Sequence, residues 1–232
     1  MAESRTQPPS FWSIIKEASA TGFVSFQATA PDLQILVRLL RQIGSITETD
    51  LTIKPQSEAR VNTLSHRYGA SEFPFHTDFA FRPRPPRYIV LCNEDQESAR
   101  ETLISSLARL PKQIAEKLAK STWHLRRQSR SFELGGSLLI DRQRAFRWDN
   151  DFLVPANDHA LSCLEEVPQL LSSQQHRISW TIPNTVVIID NWLCAHARGP
   201  SASRRDDHTR KLKRLEVWQY AGVDVRCALE QG

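Results

Sequence analysis

The segment Val186-Val187-Ile188-Ile189-Asp190-Asn191-Trp192-Leu193-Cys194-Ala195-His196-Ala197-Arg198 decides how the chain is read. Four consecutive branched aliphatic residues predict a strand buried on both faces, and that strand runs into a polar turn which delivers one histidine at its end. Further short β-type runs lie over 88–92, 123–125, 132–134, 137–140, 177–182, 185–189 and 215–220, several of them divided by turn pairs such as Gly135-Gly136 and Pro183-Asn184. Helical periodicity is confined to the front and to insertions. Leu33, Leu36 and Leu40, with Ile35, Leu39 and Ile43, mark an amphipathic helix over 32–43 that Gly44 stops, and further helices are expected over 11–18, 111–120 and 158–171.

Many short strands with peripheral helices favour an antiparallel sandwich or jelly roll over a parallel βαβ sheet. No Gly-rich phosphate loop follows a strand, which argues against Rossmann and P-loop proteins. The 232 residues are 40% apolar and 24% charged, an ordinary globular composition that buries a core without disulfides. No repeat or linker divides them, so one domain over 1–232 with a helical lead-in is expected. Cys92, Cys163, Cys194 and Cys227 form no CxxC pair, which excludes a zinc ribbon and points to a reducing cytoplasm. The first ten residues hold no apolar core of a leader, and no run reaches the roughly 18 apolar residues of a membrane span.

Phe73-Pro74-Phe75-His76-Thr77-Asp78-Phe79-Ala80 is the sharpest local feature. Residues two apart on an extended chain face the same way, so His76 and Asp78 can converge on one metal ion. Alone this is weak: about 0.4 His-x-Asp pairs arise by chance at this composition. His196 changes the balance, because two histidines and one carboxylate form the facial triad of a non-haem Fe(II) site. A third element is basic. Arg198, Arg204, Arg205, Arg210, Lys211, Lys213 and Arg214 stand against Asp206 and Asp207, in a chain of formal net charge +4. Such a run is usually a solvated face or a patch for polyanions. Here Arg210, Leu212 and Arg214 share one strand face, and an Arg buried beside a metal takes a carboxylate as its best partner.

His-Thr-Asp, then Pro85-Pro86-Arg87-Tyr88 entering a strand, then Asp190-Asn191 with a distal His-x-Arg, then Arg-x-x-x-Arg before a Trp, together resemble the taurine-dioxygenase/TfdA-like and clavaminate-synthase-like Fe(II)/2-oxoglutarate oxygenases. The resemblance spans most of residues 73 to 218. It implies a mainly β fold with flanking α-helices, a double-stranded β-helix or jelly roll. It implies an enzyme that consumes 2-oxoglutarate and O2 at Fe(II), releases succinate and hydroxylates a small-molecule substrate. By resemblance His76, Asp78 and His196 hold the metal, while Arg210 and Thr102 contact the distal carboxylate of 2-oxoglutarate. The interval from His196 to Arg210 is longer than the family's usual one, so Arg210 and Arg214 can exchange roles.

On the substrate side, Arg214 and Arg147 are expected to meet a small anionic or amino-acid-like substrate. The segment Arg147-Trp148-Asp149 offers a fork, an apolar wall and a carboxylate for an ammonium group. An exposed Arg147–Asp149 pair is the competing reading. Two other functions fit parts of the sequence: a catalytically silent binding module of the same fold, and an oxygenase acting on nucleic acid through its Arg-rich runs. The basic runs have few interleaved aromatics for base stacking, which disfavours the latter.

Overall fold

The computed structural model describes residues 10–61, 63–93, 98–126, 133–200 and 211–223. Among these the helices are α1 (Phe11–Thr21), α2 (Ala30–Ile43), α3 (Leu64–Tyr68), α4 (Lys112–Lys120) and α5 (Asp158–Ser173). The strands are β1 (Phe23–Gln27), β2 (Gly44–Thr52), β3 (Tyr88–Cys92), β4 (Ser98–Ser106), β5 (Thr122–Leu125), β6 (Leu134–Gly135), β7 (Ser137–Ile140), β8 (Gln143–Phe146), β9 (Leu153–Pro155), β10 (His176–Trp180), β11 (Thr185–Asp190), β12 (Cys194–Arg198) and β13 (Lys211–Gln219). No helix in the described residues is long and apolar enough to cross a membrane.

Two antiparallel sheets face each other. The larger runs β1-β11-β3-β13-β2 and the smaller β10-β4-β12, so strands distant in sequence interleave as a jelly roll requires. Alternation sorts the side chains of the larger sheet. Tyr88, Val90, Cys92, Val186, Ile188, Leu215 and Val217 pack outward with α1 and α2. Ile89, Leu91, Val187, Ile189 and Leu212 turn inward to meet Ile104, Ile178 and Trp180 of the smaller sheet. Both faces are covered, which is why β3 and β11 read as unbroken apolar runs. On the far side of the smaller sheet, Leu103, Ala195 and Ala197 join a core with Ile114, Leu118, Ala160 and Val167 from α4 and α5.

The expected helices all form. The main one begins earlier than its apolar periodicity indicates, because Thr29 caps it in a reciprocal box with Asp32 and Pro31 fits its first turn. Gly44 ends the helix but is itself extended and opens β2. At the end of α1, Gly22 adopts φ +99, and a Cβ there would lie 2.4 Å from Cys194 Sγ. Strands β1, β2, β4, β8, β9 and β12 are additional to those expected. β2 is an edge strand with a polar outer side, and β4 and β12 carry polar residues toward the site, so neither gives an apolar run. Part of the strand expected over 132–134 lies outside the described residues. Cys92, Cys163 and Cys194 are buried free thiols, and Cys227 lies outside the described residues.

Candidate active site

Strand β12 turns Ala195 and Ala197 into the core beneath it and His196 to the opposite face. The segment holding His76 pairs with it, each histidine donating its backbone N–H to the other's carbonyl at 3.0 and 2.9 Å. The two imidazoles consequently stand with ring centroids 4.5 Å apart. Asp78, two residues beyond His76, points to the same side: its Oδ1 lies 3.5 Å from His76 Nε2 and 3.9 Å from His196 Nε2. One ligand atom from each residue lies within 4.8 Å of the other two. Thr77 between them spends its hydroxyl on the backbone of Trp148, donating to the carbonyl at 3.3 Å and accepting from the N–H at 3.1 Å.

The electrostatics suit a cation. Burial, reinforced by the neighbouring His76, pushes His196 down to about 3, so its ring is neutral with a lone pair to offer. Burial would raise Asp78, but Arg214 and the two histidines overcome it and hold the carboxyl well below the usual range. Burial opposes charge on His76 too, yet Asp78 and Asp149 leave its pKa raised. A divalent ion would replace these mutual contacts. The donor set of two imidazoles and one carboxylate, converging from one side, fits octahedral Fe(II) and leaves positions for other ligands.

Behind the site lies a support that the sequence reading left without a role. Asn191 Oδ1 accepts the N–H of Asp78 at 2.7 Å, and its Nδ2 donates to the carbonyls of Asp78 and Pro86 at 3.0 and 2.9 Å. Beside it Asp190 is fully buried and paired with Arg87, whose Nη1 also reaches Gln219 Oε1 at 2.9 Å. The guanidinium sits over the rings of Tyr88 and Trp192. This accounts for two elements of the sequence pattern, Pro-Pro-Arg-Tyr and Asp-Asn, as one buried brace between β3 and β11.

A cavity of about 460 Å³ opens over the triad and includes Thr102, Asp149, Leu212 and Arg214 in its lining. Thr102 Oγ1 accepts the indole N–H of Trp180 at 3.0 Å. Arg210 lies outside the described residues. Arg214 enters the cavity but lies on the triad itself: Nη1 is 3.2 Å from Asp78 Oδ2 and Nη2 is 2.7 Å from Glu216 Oε1. Glu216, two residues along β13, is thus a second carboxylate on the same guanidinium that sequence alternation could have found.

Arg147 requires a correction. Its side chain is buried away from the cavity and donates to the carbonyls of Gly135, Ala80 and Arg82. Neither a substrate contact nor an exposed pair with Asp149 remains, because three backbone acceptors occupy the fork. From the same segment it is Asp149 that lines the cavity. Burial pushes Asp149 up to about 6, against the pull of His76. Arg198, which also lines the cavity, donates to the carbonyls of Gly69 and Ser71 with its guanidinium 3.6 Å from the Phe73 ring centre.

Residues 6–136, which include His76, Asp78 and Thr102, match the family described as Taurine catabolism dioxygenase TauD, TfdA family. The chain belongs to the TauD/TfdA family. Solved structures place it on the same fold. The non-heme iron oxygenase OrfP, in complex with Fe and alpha-ketoglutaric acid, superposes with a TM-score of 0.64 at 17% identity, over 97% of this chain and 83% of that one. An asparagine oxygenase in complex with Fe(II), 2S,3S-3-hydroxyasparagine and succinate gives 0.64 at 15%, over 90% and 77%. PvcB from Pseudomonas aeruginosa gives 0.61 at 18%, over 91% and 80%. At these identities the likeness is one of fold. No curated protein sequence matches the chain significantly. The TauD/TfdA assignment accounts for the interleaved sheets and for the brace behind Asp78 in one jelly-roll scaffold.

Proposed function

We propose that the protein is a non-haem Fe(II)/2-oxoglutarate-dependent dioxygenase that hydroxylates a C–H bond of a small amino-acid-like substrate while 2-oxoglutarate is decarboxylated to succinate. The observation that carries this reading is the convergence of His76, Asp78 and His196 on one point of a cavity in a TauD/TfdA chain. The asparagine oxygenase and OrfP, whose structures hold hydroxylated amino acids with iron and succinate, support the substrate class.

His76, Asp78 and His196 would hold Fe(II), and Thr102 and Arg210 would hold the distal carboxylate of 2-oxoglutarate. When bound, the metal and keto acid would supply the O2 activation that oxidises the substrate. The chain's own tasks are binding, orientation and exclusion of water. His196 stays neutral to donate its lone pair. Arg214 keeps Asp78 ionised and steers one carboxylate oxygen, leaving the other toward the histidines. Asp149, beside the backbone of His76, supplies an acceptor for a substrate donor group.

Succinate formation from 2-oxoglutarate, measured with Fe(II) in air and again after chelation, tests the reading. Succinate that appears only with both Fe(II) and 2-oxoglutarate supports it. Metal-replete protein that makes none refutes it.

A further inference from the structure

We propose that Phe79, Phe81 and Phe152 form a substrate-binding wall that selects an amino acid carrying a flat, arene-sized side chain. This deepens the dioxygenase reading and rests on it. All three rings line the cavity over the triad and are only partly buried. They form a continuous run: Phe79 and Phe81 have ring centroids 5.9 Å apart, and Phe81 and Phe152 are 6.0 Å apart. Such offset or tilted spacing is that of aromatic side chains packed on one another, and a further arene extends the run by the same contacts. Large apolar side chains left at a cavity surface bind apolar matter; a small polar substrate would leave them wet.

The backbone gives a second, independent sign. Phe79 adopts φ +56, a left-handed conformation costly for a bulky residue and found where surrounding structure enforces it. Here the enforcing contacts are the Asn191 amide on the preceding residue and Trp218, whose ring centroid lies 5.1 Å from that of Phe79. The strained turn places the first ring of the wall directly after the Asp78 ligand. Arg214 joins the two in space, its guanidinium 3.2 Å from Asp78 Oδ2 and 6.0 Å from the Phe79 ring centroid, so a side chain lying on the wall has its C–H bonds near the metal position.

The far end of the wall supplies the head-group contact. Asp149 Oδ1 already accepts the N–H groups of Asp151 and Phe152 at 2.8 and 3.1 Å. The residue itself lines the cavity. A carboxylate at the cavity surface is matched by an ammonium. Wall and carboxylate meet at Phe152, three residues after Asp149. An arene on the wall and an ammonium on Asp149 are the two ends of an aromatic amino acid.

The test uses the wild-type protein loaded with Fe(II) and 2-oxoglutarate. Binding of L-phenylalanine, L-tyrosine, L-asparagine and L-arginine is measured without O2 by calorimetry, and succinate formation is measured in air with and without each. The aromatic amino acids should bind at least tenfold more tightly than asparagine or arginine, and should stimulate succinate formation. Phe81→Ala and Phe152→Ala should lose tenfold or more in affinity for the aromatic pair, with Phe81→Leu and Phe152→Leu intermediate. Tighter binding of asparagine or arginine overturns the wall, as does unchanged aromatic affinity in folded alanine variants. In either case basal succinate persists in the wild type and the dioxygenase reading stands. Absence of basal succinate overturns the dioxygenase reading and this inference together.

Discussion

Asn191 grips Asp78 by both ends of its peptide backbone, accepting its N–H at 2.7 Å and donating to its carbonyl at 3.0 Å, across 113 positions of sequence. The carboxylate that completes the triad is thus positioned from the turn between β11 and β12 and not only by its own loop. Asn191→Ala strips partners from buried backbone groups at Asp78 and Pro86, a cost of about 1–3 kcal/mol each when unsatisfied. A lowered urea midpoint together with weaker Co(II) binding is expected. Wild-type metal affinity in the folded variant would show that Asn191 does not position the ligand.

Thr77 separates stability from metal binding. Its buried hydroxyl both donates to and accepts from the Trp148 backbone. Thr77→Val should therefore cost on the order of 1–3 kcal/mol by leaving the Trp148 N–H unpaired, while metal affinity changes little. Chemical denaturation and metal titration of one preparation check the two halves.

Arg87 and Asp190 form a buried pair, so Arg87→Ala should destabilise by about 3–5 kcal/mol by stranding the carboxylate. Burial leaves Asp190 up at about 6 even against the pull of Arg87. This lies above the roughly 3.9 of an unfolded Asp, so the native state holds the extra proton between the two values. The contribution of this group to stability falls as pH rises from about 4 to 6 and levels off above. Asp190→Asn should remove that part of the slope, seen by comparing urea unfolding of both proteins at pH 4.5 and 7.

Arg214 touches Asp78, the proposed metal ligand, directly, which changes what its removal should do. Without the guanidinium, burial and Glu216 act on Asp78 unopposed by that charge, and its proton affinity rises. Arg214→Met should bind Co(II) more weakly, with a larger loss at pH 5.5 than at 7.5. An equal loss relative to the wild type at both pH values would place Arg214 outside the metal site's electrostatics.

The triad residues stand out because two of them lie two apart on extended chain and the third follows the polar turn that closes an unbroken apolar run. Arg214 belongs to the same ordered pattern and Thr102 comes from the family resemblance alone, and both line the cavity. Asn191 is legible only as a member of that pattern, since its partner at Asp78 is brought close by the sheets. Arg147 misleads for the same reason: adjacent Arg, Trp and Asp say nothing of which carbonyls the fold will bring to the fork. The phenylalanine wall is half visible. Phe79 and Phe81 are two apart, but the left-handed turn at Phe79 and the approach of Phe152 are products of tertiary structure.

The most direct measurement of the central claim is succinate release from 2-oxoglutarate with Fe(II) in air by the wild type and by Asp78→Ala, alongside Fe(II) affinity determined without O2. A facial site left with two neutral imidazoles loses its only anionic protein ligand. The wild type should bind Fe(II) and make succinate, and folded Asp78→Ala should bind the metal far more weakly and make none. Unchanged Fe(II) affinity or undiminished succinate in Asp78→Ala would contradict the assignment.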